Sequence, residues 1–296
     1  EHSLQQQDRT NLEDLCPQNE TPFRATPRTL AVGAGFGCSC HVAPRLWRDK
    51  YQWKPSHCRL PSWDADQFCR LLGEGRRLLF IGDSTSHQAA AEVSNAVAWD
   101  AAKGRVAAHR CQESVLFGHS DTLVGAHELL AGLLGPNRGL HWETWVERYR
   151  PDIVILNTGA SIKSVHAFNA TLVKVMRGFK RFPNTRFIWK SQPPAGCGPR
   201  PINESEYAGL SANRAHFNWR LFDAFDASAS DILGKRPTDN FHAFLDLSPL
   251  LLRPDAHVEG GIHDCLHLCT PGPLTLLPSL LLQILSTWDS SRTGGD

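Results

Sequence analysis

A serine that attacks a carbonyl needs a base to take its proton, an acid to steady that base, and donors for the oxyanion that forms. Residues of these types stand in three short stretches of the chain. They are Gly82-Asp83-Ser84 in "LLFIGDSTSHQ" (78–88), Asn157 in "LNTGAS" (156–161), and Asp264-x-x-His267 in "DCLHLC" (264–269). The spacing of Asp264 and His267 lets the carboxylate reach the imidazole within one local turn, where it would hold the ring tautomer. Ser84, His267 and Asp264 are thus a candidate nucleophile, base and orienter. The Asn157 amide is a candidate oxyanion donor. Each stretch also has a plainer reading. Ser and Asp are preferred helix N-caps, and Asn-Thr-Gly is good turn chemistry. The Gly-Asp-Ser stretch is not the G-x-S-x-G elbow, since Thr85 and Ser86 follow Ser84.

What would position these residues is an alternation of strands and helices. "RLLFIGD" (77–83), "PDIVILNTGAS" (151–161), "TRFIWKSQPP" (185–194) and "FHAFLDLSPLLL" (241–252) read as strands. Helices are expected over 86–99, 167–182 and 208–228, and a terminal core helix over 274–285. Continuous apolar strands alternating with helices argue for a parallel sheet covered on both faces. In such sheets ligands bind outside the carboxyl ends of the strands. Ser84 lies at such an end, just before a helix whose free N–H groups and positive dipole end would stabilise an oxyanion.

The 296 residues carry 31 basic and 30 acidic side chains, a net charge of +1. No single-sign field points to nucleic acid or an anionic membrane, and no segment reads as a membrane span. The chain starts at Glu1 without a signal-like stretch, which reads as a mature or trimmed chain in which any leader or anchor would not be visible.

Five of the nine cysteines fall before residue 70, in a segment of little periodicity. Residues 1–75 therefore read as a cysteine-rich segment packed on a catalytic domain, 76–296. Disulfide candidates are Cys16, Cys38, Cys40, Cys58, Cys69, Cys265 and Cys269. At least one of the last two is expected to bond to the 16–69 segment and pin the loop of His267. Asn19, Asn169 and Asn203 begin glycosylation sequons. Cysteines and sequons together point to the secretory pathway. Cys265 and Cys269 lack a second matching pair, so no metal centre is expected.

Four stretches resemble the PC-esterase branch of the SGNH hydrolases, which includes the trichome-birefringence-like and neurexophilin-and-PC-esterase proteins. These are "YQWKPSHCRLPSWDADQFC" (51–69), "LLFIGDSTSHQ", "FLDLSPLLLRPDAH" (244–257) and "DCLHLCTPGP" (264–273). His87 stands where the family often has Arg, and is a candidate substrate contact. The resemblance implies a flavodoxin-like three-layer α/β/α sandwich with a cysteine-rich appendage. It implies a Ser84–His267–Asp264 triad, with the Ser84 amide and Asn157 as oxyanion hole. It further implies an O-acetyltransferase acting on carbohydrate hydroxyls through an acyl-enzyme on Ser84. No bound cofactor is expected, only an acyl donor such as acetyl-CoA or another acetyl compound. The same triad would serve a carbohydrate O-acetyl esterase. A secreted glycan-binding or interaction module that keeps the fold without catalysis is the third reading.

Overall fold

The computed structural model describes residues 2–6, 51–55, 60–102, 111, 113–125, 140–193, 195, 205, 217–235, 239–248, 250, 265–268 and 273–293. Two short strands near the start, β1 (His2–Gln6) and β2 (Tyr51–Pro55), pair antiparallel. Helix α1 (Ala65–Leu72) follows, capped by the Asp64 carboxylate, which accepts from the Gln67 N–H.

Strand β3 (Leu78–Gly82) is buried along its whole length. Its side chains alternate between two cores: Leu78 and Phe80 join one, Leu79 and Ile81 the other. A strand apolar at every position is what a sheet covered on both faces demands. After it come α2 (Ser84–Ala102), β4 (Val115–His119), α3 (Trp142–Tyr149), β5 (Ile153–Leu156) and α4 (Val165–Phe179). The chain continues through β6 (Arg186–Lys190), α5 (Phe222–Lys235), β7 (Phe241–Leu245) and α6 (Leu276–Thr293).

Strands β3 to β7 form one parallel sheet in the order β4-β3-β5-β6-β7. With the five strands counted along the chain this is 2-1-3-4-5, the flavodoxin order, whose direction reverses between the first and third strands. Residues of α1, α2 and α6 fill one core, and residues of α3, α4 and α5 fill the other. The expected α/β/α layering is therefore present. Among the described residues no helix is long and apolar enough to cross a membrane.

The elements differ from the sequence expectation in several details. An additional strand, β4, occupies the sheet edge beside β3. The helix expected over 208–228 lies further on, at Phe222–Lys235, preceded by a short 3-10 turn at Trp219–Leu221. Phe68 and Leu72 of α1 enter the same core as Leu78 and Leu281. Cys69 of that helix is disulfide-bonded to Cys111. Cys111 lies outside the set that the sequence pointed to, because the pairing depends on packing between segments 42 residues apart. Of the other candidates, Cys265 is disulfide-bonded, and Cys16, Cys38, Cys40, Cys58 and Cys269 lie outside the described residues.

The end of β3 is tightly enclosed. A Cβ on Gly82 would stand 2.3 Å from the Asn157 carbonyl oxygen and 2.3 Å from Ser86 Oγ. Gly82→Ala is therefore expected to destabilise the fold by about 3 kcal/mol, at the upper end of ordinary overpacking. Chemical denaturation checks this; a variant as stable as the parent would show that the turn can widen.

Candidate active site

The capping reading of Asp83-Ser84 falls on Asp83. The Asp83 side chain caps α2: its Oδ1 accepts from the Thr85 N–H at 2.9 Å and from Thr85 Oγ1 at 2.7 Å. Its backbone carbonyl accepts from Ser86 N and His87 N, each at 3.1 Å. Oδ2 faces the Ala160 N–H at 3.4 Å. Asp83 thus occupies three of the first four amides of the helix. The Ser84 N–H, the remaining one, has no acceptor among the described residues. The Ser84 hydroxyl is likewise not needed for the cap, and it meets His267: Oγ and Nε2 are 2.7 Å apart.

His267 reaches Ser84 from a separate part of the chain, and its neighbours fix it there. Leu266 is buried in one core and Leu268 in the other, so the imidazole is carried between two anchors. Gln88, one helical turn beyond Ser84, clamps the Leu268 backbone. Its Nε2 donates to Leu268 O and its Oε1 accepts from Leu268 N. Phe217 lies edge-on to the His267 ring at 6.4 Å. Only 7% of His267 is exposed. Sequence reasoning assigned no role to Gln88; its place four residues after Ser84, on the same face of a helix, is the signal that points to it. Asp264, the expected orienter, lies outside the described residues, as do Asn19 and Asn203.

Asn157, the expected oxyanion donor, lies beside the turn that carries Ser84. It is fully buried, and its amide nitrogen donates to Lys190 O at 2.9 Å and Ser191 O at 3.4 Å. Its carbonyl oxygen lies 3.0 Å from Thr85 Oγ1, whose one proton it shares with the closer Asp83 Oδ1. Both contacts of the amide nitrogen run to the end of β6, so Asn157 ties that strand end to the turn that carries Ser84. The Ser84 N–H at the start of α2 is the donor that remains open.

Next to this brace lies a buried charge cluster that sequence reasoning also missed. Lys190 is 1% exposed, and its Nζ donates to Ser191 O at 3.1 Å. Burial pushes its ammonium down to about 8, against the attraction of Asp83 and Asp226. Burial pushes the Asp226 carboxyl up to about 7, against hydrogen bonding from the Gln192 N–H and the attraction of Lys190. The visible signal was a lysine closing the apolar run "FIW" (187–189). A cation there offsets Asp83, which precedes the serine.

His87 sits one turn after Ser84 and stacks on Phe117, with ring centroids 4.3 Å apart. Burial, then the neighbouring His119 and His267, lower its pKa to about 4. Asn169 stands on α4, half-buried, with its Oδ1 accepting from Ser228 Oγ of α5 at 2.6 Å. That is a more enclosed place than the surface loop a sequon asparagine prefers.

A doubly wound α/β fold with a serine–histidine pair at its strand-order reversal defines the class: the pair stands at the carboxyl edge of β3, where such folds bind ligands. No family model matches the chain. Along 94% of its length it resembles protein trichome birefringence-like 20 of Arabidopsis thaliana, with 23% identity over 353 aligned residues and 72% of that protein covered. The resemblance read from the motifs thus extends over nearly the whole chain. A stretch of 53 residues is 36% identical to xyloglucan O-acetyltransferase 1 of Populus trichocarpa, covering 18% of this chain and 12% of that protein. Another match, of 63 residues at 32% identity, is to probable xylan O-acetyltransferase 11 of Oryza sativa subsp. japonica, covering 21% of this chain and 16% of that protein. These shorter matches span less than a fifth of the proteins concerned. Among solved structures, the periplasmic domain of a lipopolysaccharide acetyltransferase from Salmonella ser. Paratyphi A aligns over 73% of this chain and 86% of that one, at TM-score 0.45 and 16% identity.

Proposed function

We propose that this protein is a carbohydrate O-acetyltransferase that works through an acetyl-enzyme on Ser84. The observation that carries the reading is the 2.7 Å approach of His267 Nε2 to Ser84 Oγ at the carboxyl edge of the sheet. The likeness to trichome birefringence-like 20, and the names of the shorter matches, support the acetyl group and the carbohydrate acceptor.

In the first half-reaction His267 Nε2 takes the Ser84 proton as Oγ bonds to the acetyl carbonyl carbon of the donor. The carbonyl electron pair moves to oxygen, and the resulting oxyanion takes a hydrogen bond from the Ser84 N–H at the positive end of α2. The carbon–leaving-group bond then breaks, and the leaving group accepts the proton from His267. In the second half-reaction a sugar hydroxyl gives its proton to His267 and attacks the Ser84 ester. The new sugar ester forms and Ser84 Oγ regains the proton. Asp264 holds the imidazole tautomer during both proton transfers. The donor is acetyl-CoA or another activated acetyl compound. The Cys69–Cys111 disulfide supports a place in the secretory pathway, in the Golgi lumen or outside the cell.

The deciding experiment follows a labelled acetyl group from an activated ester, with and without an unacetylated xylan or xyloglucan oligosaccharide. The expected result is labelled oligosaccharide, formed at the expense of free acetate. Acetate alone at every acceptor concentration would make the protein an esterase. Release of neither product would leave a non-catalytic carbohydrate-binding module.

A further inference from the structure

The carboxyl end of β4 carries a second imidazole–carboxylate pair that the acyl-enzyme chemistry does not use. His119 Nε2 lies 2.8 Å from Asp121 Oδ1. A carboxylate only accepts, so Nε2 carries the proton and Nδ1 of the neutral ring is an acceptor. Nδ1 has no partner among the described residues, and one-fifth of the His119 side chain (20%) is exposed.

The sheet geometry places His119 opposite Gly82, two residues before the nucleophile. His119 pairs in register with Gly82, and Ser120 N donates to Gly82 O at 2.8 Å. Phe117 and His119, two residues apart on one strand, point to the same face. On that face His87 of α2 stacks on Phe117. Helix α2 starts at the carboxyl end of β3 and returns along the sheet. Stepping back from His87 to Ser84 covers about 4.5 Å of helix. Stepping forward from Phe117 to His119 covers about 6.6 Å of strand, in the same direction. The same neighbourhood appears in electrostatics: His87 feels both His119 and His267.

The segment is also held stiffly. Trp145 Nε1 donates to His119 O at 2.9 Å, Ser120 Oγ to Leu140 O at 2.6 Å, and Thr158 Oγ1 to Asp121 O at 2.8 Å. An oriented acceptor nitrogen, on a fixed backbone, beside an ester-forming serine, suits recognition of a hydroxyl next to the one that reacts.

We infer that His119, held by Asp121, binds the acceptor sugar by taking a hydrogen bond from a second hydroxyl, vicinal to the hydroxyl that is acetylated on the Ser84 side. The substrate class is accordingly a glycan with a free vicinal diol. This inference rests on the acetyl-transfer reading, and the test separates the two.

The test measures the half-reactions apart. The burst of p-nitrophenol from p-nitrophenyl acetate reports formation of the acetyl-enzyme. Transfer is then followed to a methyl pentopyranoside with a vicinal diol and to its monodeoxy analogue. In the unsubstituted protein the diol is expected to be favoured in kcat/KM by about 10- to 100-fold, the worth of one hydrogen bond to a buried partner. His119→Phe keeps a ring against Phe117 and removes the acceptor nitrogen. It is expected to leave the burst within about twofold and to bring the diol down to the rate of the deoxy sugar. Equal use of the two sugars by the unsubstituted protein overturns the inference without any variant. So does a His119→Phe protein that keeps the parental preference, or one that loses the burst as much as the transfer. Absence of a burst in the unsubstituted protein overturns the acetyl-enzyme itself, and the inference with it.

Discussion

Ser84→Ala is expected to lower acetyl release from an activated ester by about four to six orders of magnitude, and to abolish labelling by a serine-directed fluorophosphonate. The same variant should fold normally. Every capping bond at the start of α2 is made by Asp83, to Thr85, Ser86 and His87, and none by the Ser84 side chain. The change removes one hydroxyl whose partner, His267, keeps its backbone anchors at Leu266 and Leu268. Thermal unfolding should therefore shift by no more than about 1 kcal/mol while turnover disappears. Retention of most of the activity would mean that another residue carries the acetyl group. Thr85 and Ser86 are poor replacements, because Thr85 Oγ1 is bonded to Asp83 and Asn157 and Ser86 is 1% exposed.

The second large effect is expected at Asp264. The Ser84–His267 contact uses Nε2 of the imidazole, so Nδ1 is the atom a carboxylate would hold. Asp264→Asn exchanges an acceptor for an amide that can stabilise the wrong tautomer, with Nε2 protonated and unable to take the serine proton. A loss of about 10⁴ in turnover is the scale of this failure in triads. Single-turnover acetylation by p-nitrophenyl acetate measures it directly. Asp255, in "RPDAH" (253–257), is the control: Asp255→Asn is expected to retain turnover within about an order of magnitude. Near-normal turnover for Asp264→Asn, with a severe loss for Asp255→Asn, would transfer the orienting role to Asp255.

Much of this molecule could be read from residue order alone, and for local reasons. The run Leu78–Ile81 has no polar side chain, so it had to be covered on both faces, and that dictates a sheet between two helical layers. The break at Gly82-Asp83-Ser84 marked a strand end followed by a helix, because Gly permits the close turn and Asp offers a cap. Asp264-x-x-His267 offered a candidate base and a candidate orienter three residues apart in the chain. The site thus showed its reactive atoms through types and spacings that do not depend on distant parts of the chain.

What tertiary structure alone decided concerns partners far apart in sequence. Strand β4 passed unnoticed because "VLFGH" (115–119) mixes a glycine and a histidine into a short run; its strand character comes from pairing with β3. The glycine has a packing reason, since a Cβ on Gly118 would stand 2.6 Å from the Trp145 ring. Cys111 found its partner only because α1 docks on the same core as α2. Asn157 has the chemistry of an oxyanion donor, and its amide nitrogen faces two carbonyls at the end of β6 that lie more than thirty residues further along the chain. Buried amide protons go to the nearest acceptors, since leaving a carbonyl unsatisfied costs as much as a hydrogen bond is worth. Residue order names the groups able to react; the fold decides, by packing and by hydrogen-bond supply, which are left free to do so.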